Sequence, residues 1–173
     1  MQIDKQKTII GIDLGTTRMG AGVIHIESNA TPTVLHSGIV STIVAQDMGT
    51  RLKDIYTNLT DLVKTYNPDY IAFEDVFFVK NKKTALDVAS ARGIVFLVAA
   101  QNNKHLKTYT PLQVKQSVAG WGRADKKQVQ SMVKRLLVLE KTPKPDDVAD
   151  ALAVAICCHH STPYNELLLE KHT

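Results

Sequence analysis

Two apolar segments of this chain each close on a carboxylate, and that constrains the fold more than any other feature. Thr8–Asp13 reads TIIGID and leads into Gly15, Thr16 and Thr17. Tyr70–Phe73 reads YIAF and leads into Glu74 and Asp75. Short apolar runs bounded by turn signals read as buried strands. A lone carboxylate at such a place is costly to bury. In sheets covered by helices, strand ends are where ligands bind. A third acidic element is the stretch DDVADALA. Asp147 and Asp150 are three apart, so on a helix they share one face. Asp146 projects roughly 100° away from Asp147.

Asp13, Glu74, Asp147 and Asp150 would repel one another unless a positive group neutralised them. Hard divalent cations take oxygen ligands, and Mg²⁺ binds through a few carboxylates plus substrate phosphate. Two such ions can clamp the attacking and leaving oxygens of a phosphodiester displacement. Each carboxylate alone also fits a simpler role. Asp147 suits the positive end of a helix dipole, and Asp13 and Glu74 suit turn caps.

Charge decides between these readings. The chain has 21 Lys plus Arg against 17 Asp plus Glu, a formal +4. Residues 76–135 carry twelve basic and two acidic side chains, or +10, so the remainder is −6. A basic middle beside an acidic cluster suggests a face for phosphates.

The rest of the pattern predicts an α/β fold, a mixed sheet of five strands flanked by helices. Gly20–Ile26 and Thr33–Val44 follow the first strand through short turns, which suggests an antiparallel meander. Helical spacing of apolar residues covers Gly49–Tyr66 and stops at Pro68. Thr84–Asn103 reads as a long helix rich in small residues, with Gly93 expected to serve close packing. Leu106–Tyr109 reads as the fifth strand. Helices follow over Pro111–Val118, from an Asp125 cap to Leu139, and over Asp146–Cys158, with a loop at Gly120–Arg123 that holds Trp121. At 173 residues and 44% apolar composition one domain is expected, with a core of about residues 8–160 and a short C-terminal tail.

Some classes are excluded. The apolar run Ile94–Ala100 is far short of the ~20 residues of a spanning helix. The start, MQIDKQK, has no apolar stretch of a signal peptide, and the adjacent Cys157 and Cys158 cannot staple a domain, so a cytoplasmic location is expected. The run Cys157–Cys158–His159–His160 lacks the ligand spacing of zinc motifs and reads as packing and surface.

The motifs IIGIDLG, PDYIAFEDVFFVKN, ALDVASARG, QVKQSVAGWGRADKKQVQ and DDVADALAVAI, in this order, resemble the RuvC family of bacterial Holliday-junction resolvases over about Ile9–His160. GIDLGTT alone is also similar to the first phosphate loop of Hsp70-like ATPases, which need two domains of this type. The RuvC resemblance implies an RNase H-like fold in a homodimer. It also implies a crossover junction endodeoxyribonuclease that makes paired symmetric nicks in recombination and repair, leaving 5′-phosphate and 3′-hydroxyl ends. It implies metal ligands at Asp13, Glu74, Asp147 and Asp150, two Mg²⁺ per site with Mn²⁺ as the alternative, and catalytic lysines at Lys115 and Lys126. It implies a junction contact at Phe77, with Phe78 beside it. Lys80, Lys82, Lys83, Arg123 and Lys127 join Lys115 and Lys126 as expected DNA-binding residues. The implied partners are a four-way junction and the RuvA–RuvB branch-migration complex. Leu14 stands where many relatives have Pro, so a looser turn after Asp13 is expected.

Overall fold

The computed structural model describes residues 6–28, 30–75 and 82–162, with the side chains of residues 82–84 also outside the description. The elements are β1 (Lys7–Asp13), β2 (Arg18–Ile26), β3 (Thr33–Ser41), α1 (Met48–Tyr66), β4 (Tyr70–Glu74), α2 (Lys82–Gln101), β5 (His105–Tyr109), α3 (Pro111–Ala119), α4 (Lys126–Leu136) and α5 (Asp146–Ser161). The five strands form one sheet in the order β3-β2-β1-β4-β5. β1, β2 and β3 are an antiparallel meander, while β4 runs parallel to β1 and β5 parallel to β4. This is the expected mixed sheet.

Alternation along the strands fills both faces of the sheet. Ile9, Ile24, Tyr70 and Ala72 pack under α3, α4 and α5. Ile10, Ile12, Val23, Ile71 and Phe73 pack under α1 and α2. The parallel pairing of β1 with β4 sets Ile12 beside Phe73. The carboxylates that follow, Asp13 and Glu74, therefore emerge side by side at one end of the sheet, at the C-termini of two inner strands.

α5 is buried along most of its length, from Val148 to Cys158. Its alanines lie flat on β1 and β2 because the facing strand residues are Gly11, Gly20 and Gly22. A Cβ at Gly11 would collide with the Ala151 carbonyl, and one at Gly20 with the Asp147 carbonyl. The far end of α5 is held by the buried Lys7. Its ammonium donates to the His159 carbonyl at 3.0 Å and to the Thr162 carbonyl at 2.7 Å, as a cation at a helix C-terminus should.

Four expectations shift. β3 stops at Ser41, because Thr42 turns back to donate its amide to the Thr17 carbonyl. The apolar Ile43 and Val44 are exposed beyond it. α4 stops at Leu136 although apolar residues continue to Leu139. Val138 adopts a left-handed φ of 51°, and the Val138 and Leu139 amides donate to the Arg135 and Lys134 carbonyls. That pair of hydrogen bonds closes the helix end. α5 runs to Ser161, three residues past the expected end. Gly93 is exposed and a Cβ there would meet nothing within 4 Å, so it serves no packing among the described residues.

Candidate metal and phosphate site

This end of the sheet and the first two turns of α5 bring the four carboxylates into one region. Asp13 ends β1, Glu74 ends β4, and Asp147 and Asp150 lie one helical turn apart on α5. All four are partly buried. Their effect on one another is plain at Asp13, whose pKa is pushed up to about 7. Burial is the main cause, followed by the negative charges of Asp150, Asp147 and Glu74. Burial also raises Glu74, with Asp150 adding to the rise and Lys115 opposing it.

Cations enter the cluster from two sides. Lys126, at the start of α4, places its ammonium 3.0 Å from Asp150 and 3.5 Å from Asp146. The two partners shift upward for different reasons. Asp150 rises because burial outweighs the help of Lys126. Lys126 is lowered by lost solvation, but its hydrogen bonds and charge pairing with Asp150 and Asp146 prevail and raise it. Arg18, at the start of β2, is ion-paired with Asp147. Glu74, Lys115, Lys126 and Asp150 line one cavity of about 250 Å³, walled by Pro111, Val114, Val129 and Ala153. Asp146 is more exposed than Asp147 and Asp150, paired with Lys144 at 3.0 Å and more distantly with Lys126.

The turn after Asp13 is tightly held, against the expectation from Leu14. The Thr42 amide donates to the Thr17 carbonyl at 3.0 Å, and the Thr42 hydroxyl to the Thr16 carbonyl at 2.5 Å. Arg51 of α1 reaches across, donating to the hydroxyls of Thr16 and Thr17 at 2.5 and 2.8 Å and to the Thr16 carbonyl at 3.3 Å. A guanidinium fork fixes several acceptors at once. Arg18 and Arg51 escaped the sequence reading, since nothing local to either residue points to its partners. Arg51→Ala is expected to cost about 2 kcal/mol of stability, as lost charged hydrogen bonds do. It should also slow single-turnover cleavage roughly tenfold by freeing the turn that carries Asp13. Thermal melting and cleavage rates check both.

Among the other expected DNA contacts, Arg123 is exposed on the α3–α4 loop and Lys127 lines a neighbouring cavity. Phe77, Phe78 and Lys80, and the side chains of Lys82 and Lys83, lie outside the described residues. Cys157 and Cys158 are buried, and burial pushes the Cys157 thiol up to about 11.

Among the described residues no three His, Cys, Asp or Glu side chains are grouped as a metal ion would require. Asp147 and Asp150 turn to Arg18 and Lys126 instead. The donor chemistry nonetheless suits a hard cation, because every group is a carboxylate and burial, reinforced by the neighbouring negative charges, keeps Asp13 half-protonated near neutrality. A folded-state pKa above the unfolded value means that ionising Asp13 opposes folding. Stability contributed by the protonated carboxyl is present below pH 4 and is lost as pH rises through 7. Asp13→Asn should therefore raise Tm at pH 8, by on the order of 5 °C. The gain should vanish near pH 4 in a thermal melt series without added metal.

The family model described as crossover junction endodeoxyribonuclease RuvC matches residues 9–159. The enzyme of that name from Alkaliphilus oremlandii is 52% identical over 159 residues, covering 92% of this chain and 96% of its own. That from Clostridioides difficile is 49% identical over 160 residues, with 92% and 94% covered. Among solved structures, Thermus thermophilus RuvC in complex with Holliday junction substrate superposes with a TM-score of 0.85 at 32% identity, over 88% of this chain and 93% of that one. The yeast mitochondrial Holliday junction resolvase Ydc2 shares the fold, with a TM-score of 0.66 at 15% identity over 94% of this chain and 80% of its own.

Proposed function

Because the chain belongs to the RuvC family of crossover junction endodeoxyribonucleases, we propose that the cluster at the β1, β4 and α5 ends is the catalytic centre of a Holliday-junction resolvase. The fold is RNase H-like and the enzyme is a metal-dependent endonuclease of recombination and repair. The observation that carries the assignment of the site is a cavity that Glu74 and Asp150 line together with Lys115 and Lys126, with Asp13 close enough to feel the charges of Asp150, Asp147 and Glu74.

Asp13, Glu74, Asp147 and Asp150 would hold two Mg²⁺ ions, with Mn²⁺ as the substitute. Bound there, the ions would supply positive charge to both the attacking and the leaving oxygen of the scissile phosphate. The chain's own groups do the rest. Lys126 and Lys115 face the same cavity and stabilise negative charge that grows on the phosphate. Arg18 lies against Asp147, beside the same carboxylates. Arg123, Lys127 and the basic segment as a whole draw in the DNA backbone. Phe77 and Phe78, directly after the β4 end in sequence, are proposed to meet the crossover, with Lys80, Lys82 and Lys83 beside them. Water attacks phosphorus and the 3′ oxygen leaves, giving 5′-phosphate and 3′-hydroxyl ends.

One such unit carries one cluster and makes one cut, whereas releasing two duplexes requires two. The working form is therefore a homodimer whose two-fold axis matches that of the junction. α2 supports this reading, since Leu86, Phe96 and Leu97 are 70%, 43% and 45% exposed on it. Leu86 and Leu97, about three turns apart, share one side of the helix, and exposed apolar side chains that share a surface mark an interaction face. The proposed setting is the cytoplasm, with the RuvA–RuvB complex as partner. Among the described residues no helix is long and apolar enough to cross a membrane.

The test incubates an end-labelled four-way junction, or a linear duplex of the same sequence, with the protein in Mg²⁺ or in EDTA. The expected result is paired nicks at symmetry-related positions of the junction, in Mg²⁺ alone, by a species that sediments as a dimer. Equal cutting of the linear duplex would replace this reading with a general nuclease of the same fold.

A further inference from the structure

We propose that Trp121 and the cavity beside it form a nucleotide subsite, in which the indole stacks on a base of the strand leaving the carboxylate cluster. The proposal rests on the reading of that cluster as a nuclease site.

Trp121 is 50% exposed. A lone exposed apolar side chain is ordinary; what sets this one apart is the cavity it lines and the turn that holds it. The loop that carries it is well fixed. Gly120, at a φ of 83°, closes α3 by donating its amide to the Gln116 carbonyl. The Ala124 amide donates to the Trp121 carbonyl at 3.3 Å. Gly122 lies so close to Leu112 that a Cβ would collide with it. Asp125 and Gln128 then lock the start of α4 in a reciprocal cap. The indole is thus displayed by a braced turn.

It faces an open cavity of about 420 Å³, distinct from the one that holds Glu74 and Asp150. Ala119 and Met132 extend the apolar wall, while Lys127, Gln128 and Ser131 form a polar one. Asp125 stands at the rim, and its carboxylate is engaged by the Gln128 amide at 2.8 Å. A flat π-face, an ammonium and neutral polar groups are the set that takes a base together with its phosphate. An apolar peptide would leave Lys127 unmatched, whereas DNA matches both it and the +10 charge of residues 76–135.

The two cavities share the first turn of α4. Lys126 points its ammonium at Asp150, and its neighbour Lys127 lines the Trp121 cavity. Adjacent Cα atoms are about 3.8 Å apart. Adjacent residues on a helix project about 100° apart, so the two cavities open on either side of this turn, and a strand that crosses it passes from Lys126 to Lys127 and Trp121.

Trp121 is the one tryptophan of the sequence, so its emission reports this site alone. The full chain is titrated in EDTA with a fluorescein-labelled four-way junction, following anisotropy and, with unlabelled junction, tryptophan emission. The expected result is quenching that saturates with junction binding and is lost when the nucleotides flanking the cut are made abasic. Trp121→Phe should bind the junction like the wild type, and Trp121→Ala roughly tenfold or more weakly at unchanged Tm. Junction binding and cleavage with unaltered emission, quenching that survives the abasic change, or a Trp121→Ala variant that binds like the wild type would each overturn the subsite and leave the nuclease reading standing. No junction binding by anisotropy would overturn both.

Discussion

Asp13→Asn, Glu74→Gln, Asp147→Asn and Asp150→Asn are each expected to lower junction cleavage by at least ~10³-fold, while junction binding in EDTA persists. Each change deletes one negative charge of the proposed metal site and keeps nearly the same shape. The charge that divalent ions bring to the transition state is worth several kcal/mol, and each 1.36 kcal/mol is tenfold in rate. Binding survives because it draws on the basic segment and not on the carboxylates. Asp146→Asn is the internal control. Its carboxylate is the most exposed of the three on α5, paired with Lys144 at 3.0 Å and only at 3.5 Å with Lys126, which keeps its closer contact to Asp150, so its loss should change cleavage by less than about threefold. Single-turnover rates and an anisotropy titration separate the two effects. An inactive Asp146→Asn with an active Asp147→Asn would shift the assignment on α5 by one residue.

Gly20→Ala is expected to destabilise the protein by about 3 kcal/mol or more, above the usual range for overpacking. A side chain normally meets other side chains that can give way, but a Cβ at Gly20 meets the backbone carbonyl of Asp147. Relief requires α5 to lift from β2, which carries Asp147 out of the cluster, so activity should fall further than stability alone explains. Gly11→Ala meets Ala151 and Ala155 in the same way. Gly93→Ala is the contrast. It has open space around it and sits within a helix, so it should be neutral or stabilise by up to ~1 kcal/mol. Urea denaturation compares the three.

The site was legible in the sequence to the extent that its chemistry was local. Asp13 and Glu74 stood out because a carboxylate at the end of an apolar strand needs a reason. Asp147 was separated from Asp146 because a three-residue spacing shares a helix face. The strands and helices were found to within a few residues for the same cause, since periodicity is a local property. Arg18 and Arg51 show where locality ends. Arg18 pairs with a residue 129 positions away, and Arg51 with threonines about 35 positions back. Nothing near either arginine announces these partners. The parallel pairing of β1 with β4, which puts Asp13 beside Glu74, is likewise a choice among sheet orders that no single segment encodes. Leu14 misled for a related reason. The missing proline suggested a loose turn, but the turn is fixed from outside by Thr42 and Arg51.

End boundaries failed where apolar residues ran on into exposed turns. Ile43 and Val44 extended the apparent third strand, and Val138 extended the apparent helix α4. In both places backbone hydrogen bonds to distant or preceding carbonyls, and not hydrophobicity, decided the stop.

The account turns on one claim, that the carboxylates of β1, β4 and α5 together bind divalent metal. Calorimetric titration of Mn²⁺ into the DNA-free protein at pH 8, where Asp13 is ionised, tests it most directly. Saturable binding is predicted for the wild type and for Asp146→Asn, with a loss of at least ~30-fold in affinity for Asp13→Asn and Asp150→Asn. Identical isotherms for the wild type and the Asp13 and Asp150 variants would contradict it.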